Sequence, residues 1–218
     1  MNDEQKETRR AAVLSLLLTV LPWVAFLADG LFELRLQRYG LRPLDGWGLT
    51  GIWTMPFLHG DVDHLMSNTP SLFLLIFGLF LFYRHTAWRI LFCLYFMSGL
   101  LTWLMGRSGP VHIGASGLAY ALAAFHFGSG LIKKVPQQMA FALLVAFLYG
   151  GYVWAFFPML YQGTNISWEG HLSGLMAGIL FAFYFRRDGP GLPPDPFSEE
   201  DEEEDEEDEN NRMASELP

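Results

Sequence analysis

Six apolar runs separated by short polar stretches set the pattern of this chain. They lie at residues 11–27, 65–83, 90–106, 108–132, within 138–157, and at 171–185. A bilayer core takes about 20 mostly apolar residues per helix, with about 17 as the lower limit. The fourth run opens on Gly109 and Pro110, so its helix is expected to start near Ser116. Several runs are short, as is usual for helices surrounded by other helices. No soluble fold needs six such runs. The expectation is an all-α polytopic membrane protein, a bundle of six transmembrane helices.

Charge divides the chain in two. Residues 188–218 hold fourteen acids and one base, Arg212, a net of −13, whereas residues 1–187 carry nine acids and thirteen bases. The formal net charge of −9 therefore hides a mildly basic apolar body. Three segments are expected: 1–10 as a cytoplasmic N-terminal segment, 11–187 as the membrane domain, and 188–218 as a disordered, solvated acidic tail of unknown partner. Cys93 is the only cysteine, which excludes an internal disulfide.

Basic residues orient the runs. With the N-terminus inside, Lys6, Arg9 and Arg10 share a side with Arg84, Arg89, Lys133, Lys134, Arg186 and Arg187. Arg107 falls outside, as do Arg35, Arg38 and Arg42 of the first loop. Both termini are then cytoplasmic, and a plasma (inner) membrane fits the absence of disulfides and targeting signals. This topology brings three polar features to the outer side: "HGDVDHLMSN" at the second helix, Ser116 at the fourth and His171 at the sixth.

Ser116 supports two readings. As a small residue it extends the stripe Gly117, Ala121, Ala124 and Gly128, which lets helices approach closely. His171, Gly174 and Gly178 open a matching face on the sixth helix, and packing of the two faces would bring Ser116 within reach of His171. Serine becomes a nucleophile when a neighbouring base takes its proton. His64 and Asn68, four apart, project from one face of the second helix. Such donors stabilise the oxyanion of acyl transfer, although each also serves as interhelical glue.

The segments "HGDVDHLMSN", "GASG" and "HLSGLMAG" resemble the three signature motifs of the rhomboid intramembrane serine proteases, in the family's order and on helices two, four and six. The resemblance covers about residues 11–187. It implies a six-helix rhomboid-like bundle without cofactor, in which Ser116 is the nucleophile and His171 the general base. His64, Asn68 and the Ser116 N–H would form the oxyanion hole. Gly114 would shape the turn before the nucleophile, Tyr120 would pack against His171, and Gly174 and Gly178 would let the sixth helix close on the fourth. His59 would support the first loop. The family's Trp-Arg pair in that loop has no counterpart, because Trp47 is followed by Gly48 and Trp53 by Thr54.

The implied activity is endopeptidase cleavage of transmembrane protein substrates near the outer membrane face, in contact with the lipid bilayer and with no nucleic acid. The alternative is a non-proteolytic rhomboid-like protein that binds membrane clients. A transporter is less well matched, as no internal repeat is seen. Glu169 is expected on the outer loop rather than in a triad. No metal is expected, since His59 and His64 are five apart and would diverge on a helix. His112 is expected in a loop near the active site.

Overall fold

The computed structural model of the chain describes residues 2–148 and 167–190. Six long helices run through them: α1 (Asp3–Phe32), α2 (Val62–Phe82), α3 (Ala87–Met105), α4 (Ser116–Lys133), α5 (Pro136–Leu148) and α6 (Trp168–Tyr184). The three helices α1, α2 and α3 are each long and apolar enough to cross a membrane. The far part of the expected fifth run lies outside the described residues, as does the acidic stretch beyond 190.

Most of the helices start earlier than their apolar runs, and at α1 and α2 side-chain caps explain why. Asn2 Oδ1 accepts from the Gln5 amide at 2.9 Å while Gln5 Oε1 accepts from the Asn2 amide at 3.2 Å, a reciprocal capping box that begins α1 at Asp3 rather than residue 11. At α2 the Asp61 carboxylate accepts from the His64 amide at 2.7 Å, which starts the helix ahead of Leu65.

Helix α1 buries one narrow stripe, Ala11, Ser15, Thr19 and Pro22, and leaves Leu16, Leu17, Val20, Val24 and Leu27 exposed. An apolar outward face of that size is lipid-facing rather than water-facing. Ser15 and Thr19 return their hydroxyls to the carbonyls one turn back, at 2.7 Å each, so neither needs an outside partner. Trp23 Nε1 donates to Thr69 Oγ1 at 2.9 Å and ties α1 to α2.

Helix α4 is the central post. It is buried nearly all round, and α6 is the helix it packs against most extensively. Within hydrocarbon there is little hydrophobic drive between helices, so close approach and satisfied polar groups must hold them. His126, fully buried on α4, donates from Nε2 to the Leu75 carbonyl of α2 at 3.0 Å. At the end remote from Ser116, the Tyr83 hydroxyl accepts from Gln138 at 2.8 Å and Lys133 at 3.2 Å, joining the ends of α2 and α4 to the start of α5.

The long connection between α1 and α2 is anchored without a Trp-Arg pair. Leu41 exchanges two main-chain hydrogen bonds with His112, at 3.0 and 2.8 Å. Trp103 Nε1 donates to the Asp45 carbonyl at 2.9 Å, and Gly51 meets the Leu41 backbone so closely that a Cβ would lie 2.1 Å from it. The Tyr95 hydroxyl donates to the Trp53 carbonyl, and Trp53 lies against Phe92, Tyr95 and Phe96.

Candidate active site

Ser116 is the first residue of α4 and His171 sits in the opening turn of α6. Their side chains meet: Ser116 Oγ is 2.9 Å from His171 Nε2. What brings them together is the glycine face of α6. A Cβ at Gly174 would lie 2.1 Å from the Gly117 carbonyl oxygen, and one at Gly178 2.4 Å from that of Ala121. Such distances are impossible for any other residue, so the two backbones touch directly along this seam. The imidazole, 6% exposed, stacks on the Tyr120 ring with centroids 4.3 Å apart and planes 20° from parallel. Tyr120 is one turn beyond Ser116, which fixes the ring plane from the serine's own helix.

A second group faces the turn that leads into Ser116. Gly114 has a φ of +110°, a conformation side-chain-bearing residues rarely adopt. A Cβ there would also lie 2.7 Å from the His64 ring, so the glycine is required twice. Its amide donates to the Met55 carbonyl at 2.9 Å. The His64 ring therefore rests against the backbone two residues before Ser116.

Asn68, buried on α2, donates from Nδ2 to the His64 carbonyl at 3.0 Å and stands 3.3 Å from His59 Nε2. In this state both hydrogens of its amide are engaged. His59 and His64 do not diverge as their spacing implied; their rings meet edge to face with centroids 4.9 Å apart. The reason is that α2 starts at Val62, leaving His59 on the preceding loop and free to turn back. The His59 carbonyl accepts from Gln37 Nε2 of the first loop at 3.4 Å. Burial, aided by the neighbouring His64, pushes the His59 pKa down to about 4, so this ring is neutral and able to accept from Asn68.

Glu169 is not on an exposed loop. It is the second residue of α6, 3% exposed, and its carboxylate is held by Arg107 Nε. Ser167 caps this helix, accepting from the Gly170 amide at 3.2 Å, and its Oγ stands 2.5 Å from His112 Nδ1. His112 is in the loop leading to Ser116, as its position in the sequence implied. Burial lowers its pKa, with smaller opposing contributions from its surroundings.

The expected site residues thus form two adjoining groups, Ser116–His171–Tyr120 on the α4–α6 seam and His59–His64–Asn68 around Gly114. The Arg107–Glu169 pair was missed. Its partners are 62 apart in sequence, and only the burial of a carboxylate near a helix start would have given it away.

A helical, membrane-embedded protein with a serine and a histidine paired across a glycine seam is the class that fold and site define. The model of the rhomboid domain matches residues 46–188. This chain belongs to the rhomboid family, whose members include intramembrane proteases. Among its relatives, the uncharacterized protein Rv1337 of Mycobacterium tuberculosis (strain ATCC 25618 / H37Rv) is 39% identical over 180 residues, covering 76% of this chain and 73% of that protein. The uncharacterized protein ML1171 of Mycobacterium leprae is 33% identical over 180 residues, covering 76% and 69%.

Proposed function

We propose that this protein is an intramembrane serine endopeptidase that cleaves transmembrane substrates near the outer membrane face. The bundle then crosses a plasma membrane six times, with both termini cytoplasmic. The observation that carries the reading is the 2.9 Å contact between Ser116 Oγ and His171 Nε2, with the imidazole stacked on Tyr120.

In the proposed reaction His171 Nε2 takes the Ser116 proton as Oγ attacks the scissile carbonyl carbon. The resulting oxyanion accepts hydrogen bonds from the Ser116 amide, His64 and Asn68. Asn68 contributes by handing one hydrogen over from the His64 carbonyl, while His59 keeps the amide oriented. The His171 imidazolium protonates the leaving amine. Water then enters, gives its proton to His171 and hydrolyses the acyl-enzyme, restoring Ser116. Glu169 takes no part as a triad acid, because its carboxylate is bound to Arg107.

A fluorophosphonate probe incubated with the detergent-purified protein tests this. Labelling of the wild type, lost in Ser116→Ala and in His171→Ala, is the expected result. A folded wild type that takes no label would overturn the hydrolase reading in favour of a protein that binds membrane clients without cutting them.

A further inference from the structure

The seam between α4 and α6 supplies closeness but not register. Glycines and alanines slide past one another more readily than interlocking large side chains do, and Gly117 facing the Gly170 carbonyl offers nothing to stop a small shift. Yet a displacement of about 1 Å between reacting groups is enough to cost on the order of 100-fold in rate. Something else must hold the first turn of α6 in place.

We propose that Arg107 and Glu169 are that device, a pair of positioning residues that clamps the turn carrying His171 to the segment carrying Ser116; the inference rests on the hydrolase reading above. Residues 106–115 run from the end of α3 straight into Ser116. Arg107 lies at the start of that segment and holds Glu169 on α6. A second contact runs beside it, His112 Nδ1 to Ser167 Oγ at 2.5 Å, from the same segment to the residue that caps α6. His112 is itself pinned through its main chain to Leu41 of the first loop. The two catalytic candidates are thus joined by their own flanking residues as well as by their side chains.

Helix geometry separates the clamp from the chemistry. At 3.6 residues per turn, positions 169 and 171 point about 200° apart. His171 faces α4 and Ser116, whereas Glu169 faces away, toward Arg107. Glu169 therefore acts through the helix rather than on the imidazole. A carboxylate this buried is retained only with a charged or hydrogen-bonding partner, and Arg107 provides both.

The test uses the full chain in detergent, with Glu169→Gln, Arg107→Gln, Arg107→Lys and the double glutamine variant. Two quantities are read: the fluorophosphonate labelling rate from pH 5 to 9, and amide hydrogen exchange. Each single glutamine variant is expected to lower the plateau labelling rate about ten- to a hundredfold, with the midpoint of the pH profile unmoved. Exchange should rise at residues 167–172 and not in α2. Arg107→Lys should keep most of the rate, and the double variant should be little worse than either single one. A wild-type rate with wild-type protection in Glu169→Gln overturns the clamp. So does a slower rate accompanied by equal loss of protection throughout the bundle. If the wild-type protein takes no label, the hydrolase reading fails on its own, and unchanged exchange at 167–172 in the glutamine variants still refutes the clamp.

Discussion

Along the seam between α4 and α6 two backbones touch with nothing between them, whereas around Gly114 the same end of the bundle is held by imidazole rings and an amide. The first region is defined by what is absent, since no Cβ fits at Gly174 or Gly178. The second is defined by what is present, the His59 ring set between Asn68 Nδ2 and the edge-to-face ring of His64. The contrast separates two demands on a site of this kind. A nucleophile and its base need close approach, which directly packed backbone provides, and a separate hold on their register. Donors that must let go of one acceptor and take another need interactions that can be exchanged, and hydrogen bonds between side chains provide that.

The largest effect should come from closing the seam. In Gly174→Ala the new methyl would meet the Gly117 carbonyl oxygen and the Tyr120 Cβ, neither of which can swing aside. Overpacking usually costs about 1–3 kcal/mol, and contact with backbone puts this variant at or above the top of that range. Thermal unfolding in detergent should show the loss, and fluorophosphonate labelling should fall to background even where the protein stays folded. Wild-type labelling in Gly174→Ala would mean that the seam is looser than its backbone contacts imply.

Gly114→Ala comes next. The positive φ alone costs about 1–3 kcal/mol for a residue with a Cβ. Part of the clash is with the edge of the His64 ring, which can turn, so the fold should survive better than in Gly174→Ala. The labelling rate should drop because the turn delivering Ser116 is displaced, while the pairing of α4 with α6 persists. Measuring melting temperature and labelling rate together separates the two glycines: Gly174→Ala loses both, and Gly114→Ala loses mainly the rate.

Much of this arrangement was legible in the sequence. The i, i+4 spacing of His64 and Asn68 and the small-residue faces on α4 and α6 are local patterns that survive folding. The two helix caps were present in the sequence as well, in Asn2 with Gln5 and in Asp61, but an apolar run marks where hydrocarbon begins, not where a helix does. The spacing of His59 and His64 misled for the same reason: a helical wheel applies only within a helix, and His59 lies before the cap. Glu169 reads as a loop residue because the family that the motifs resemble uses no acid beside its histidine. Its burial depends on Arg107, and no local pattern ties a residue at the end of α3 to the first turn of α6.

The smallest effect expected is one of pH, and it isolates the exchangeable region. The pKa of His59 is lowered in the folded protein, to about 4 against 6.5 when unfolded. The unfolded chain therefore binds the proton more readily, so the stability due to this neutral ring is fully present above pH 6.5 and is lost as pH falls toward 4. At pH 5.5 the loss amounts to about 1.4 kcal/mol, and below pH 4 this group adds nothing further. Protonation also removes the acceptor that faces Asn68 Nδ2. A His59→Gln variant, which keeps an acceptor without titrating, should unfold at the same temperature at pH 7.5 and 5.5 to within the contribution of other groups, whereas the wild type should melt at a lower temperature at pH 5.5. Equal pH dependence in the two proteins would remove His59 as the source and leave its contact with Asn68 a matter of geometry alone. A difference confined to the acid side would show that the group around Gly114, unlike the glycine seam, is held by interactions that a single proton can undo.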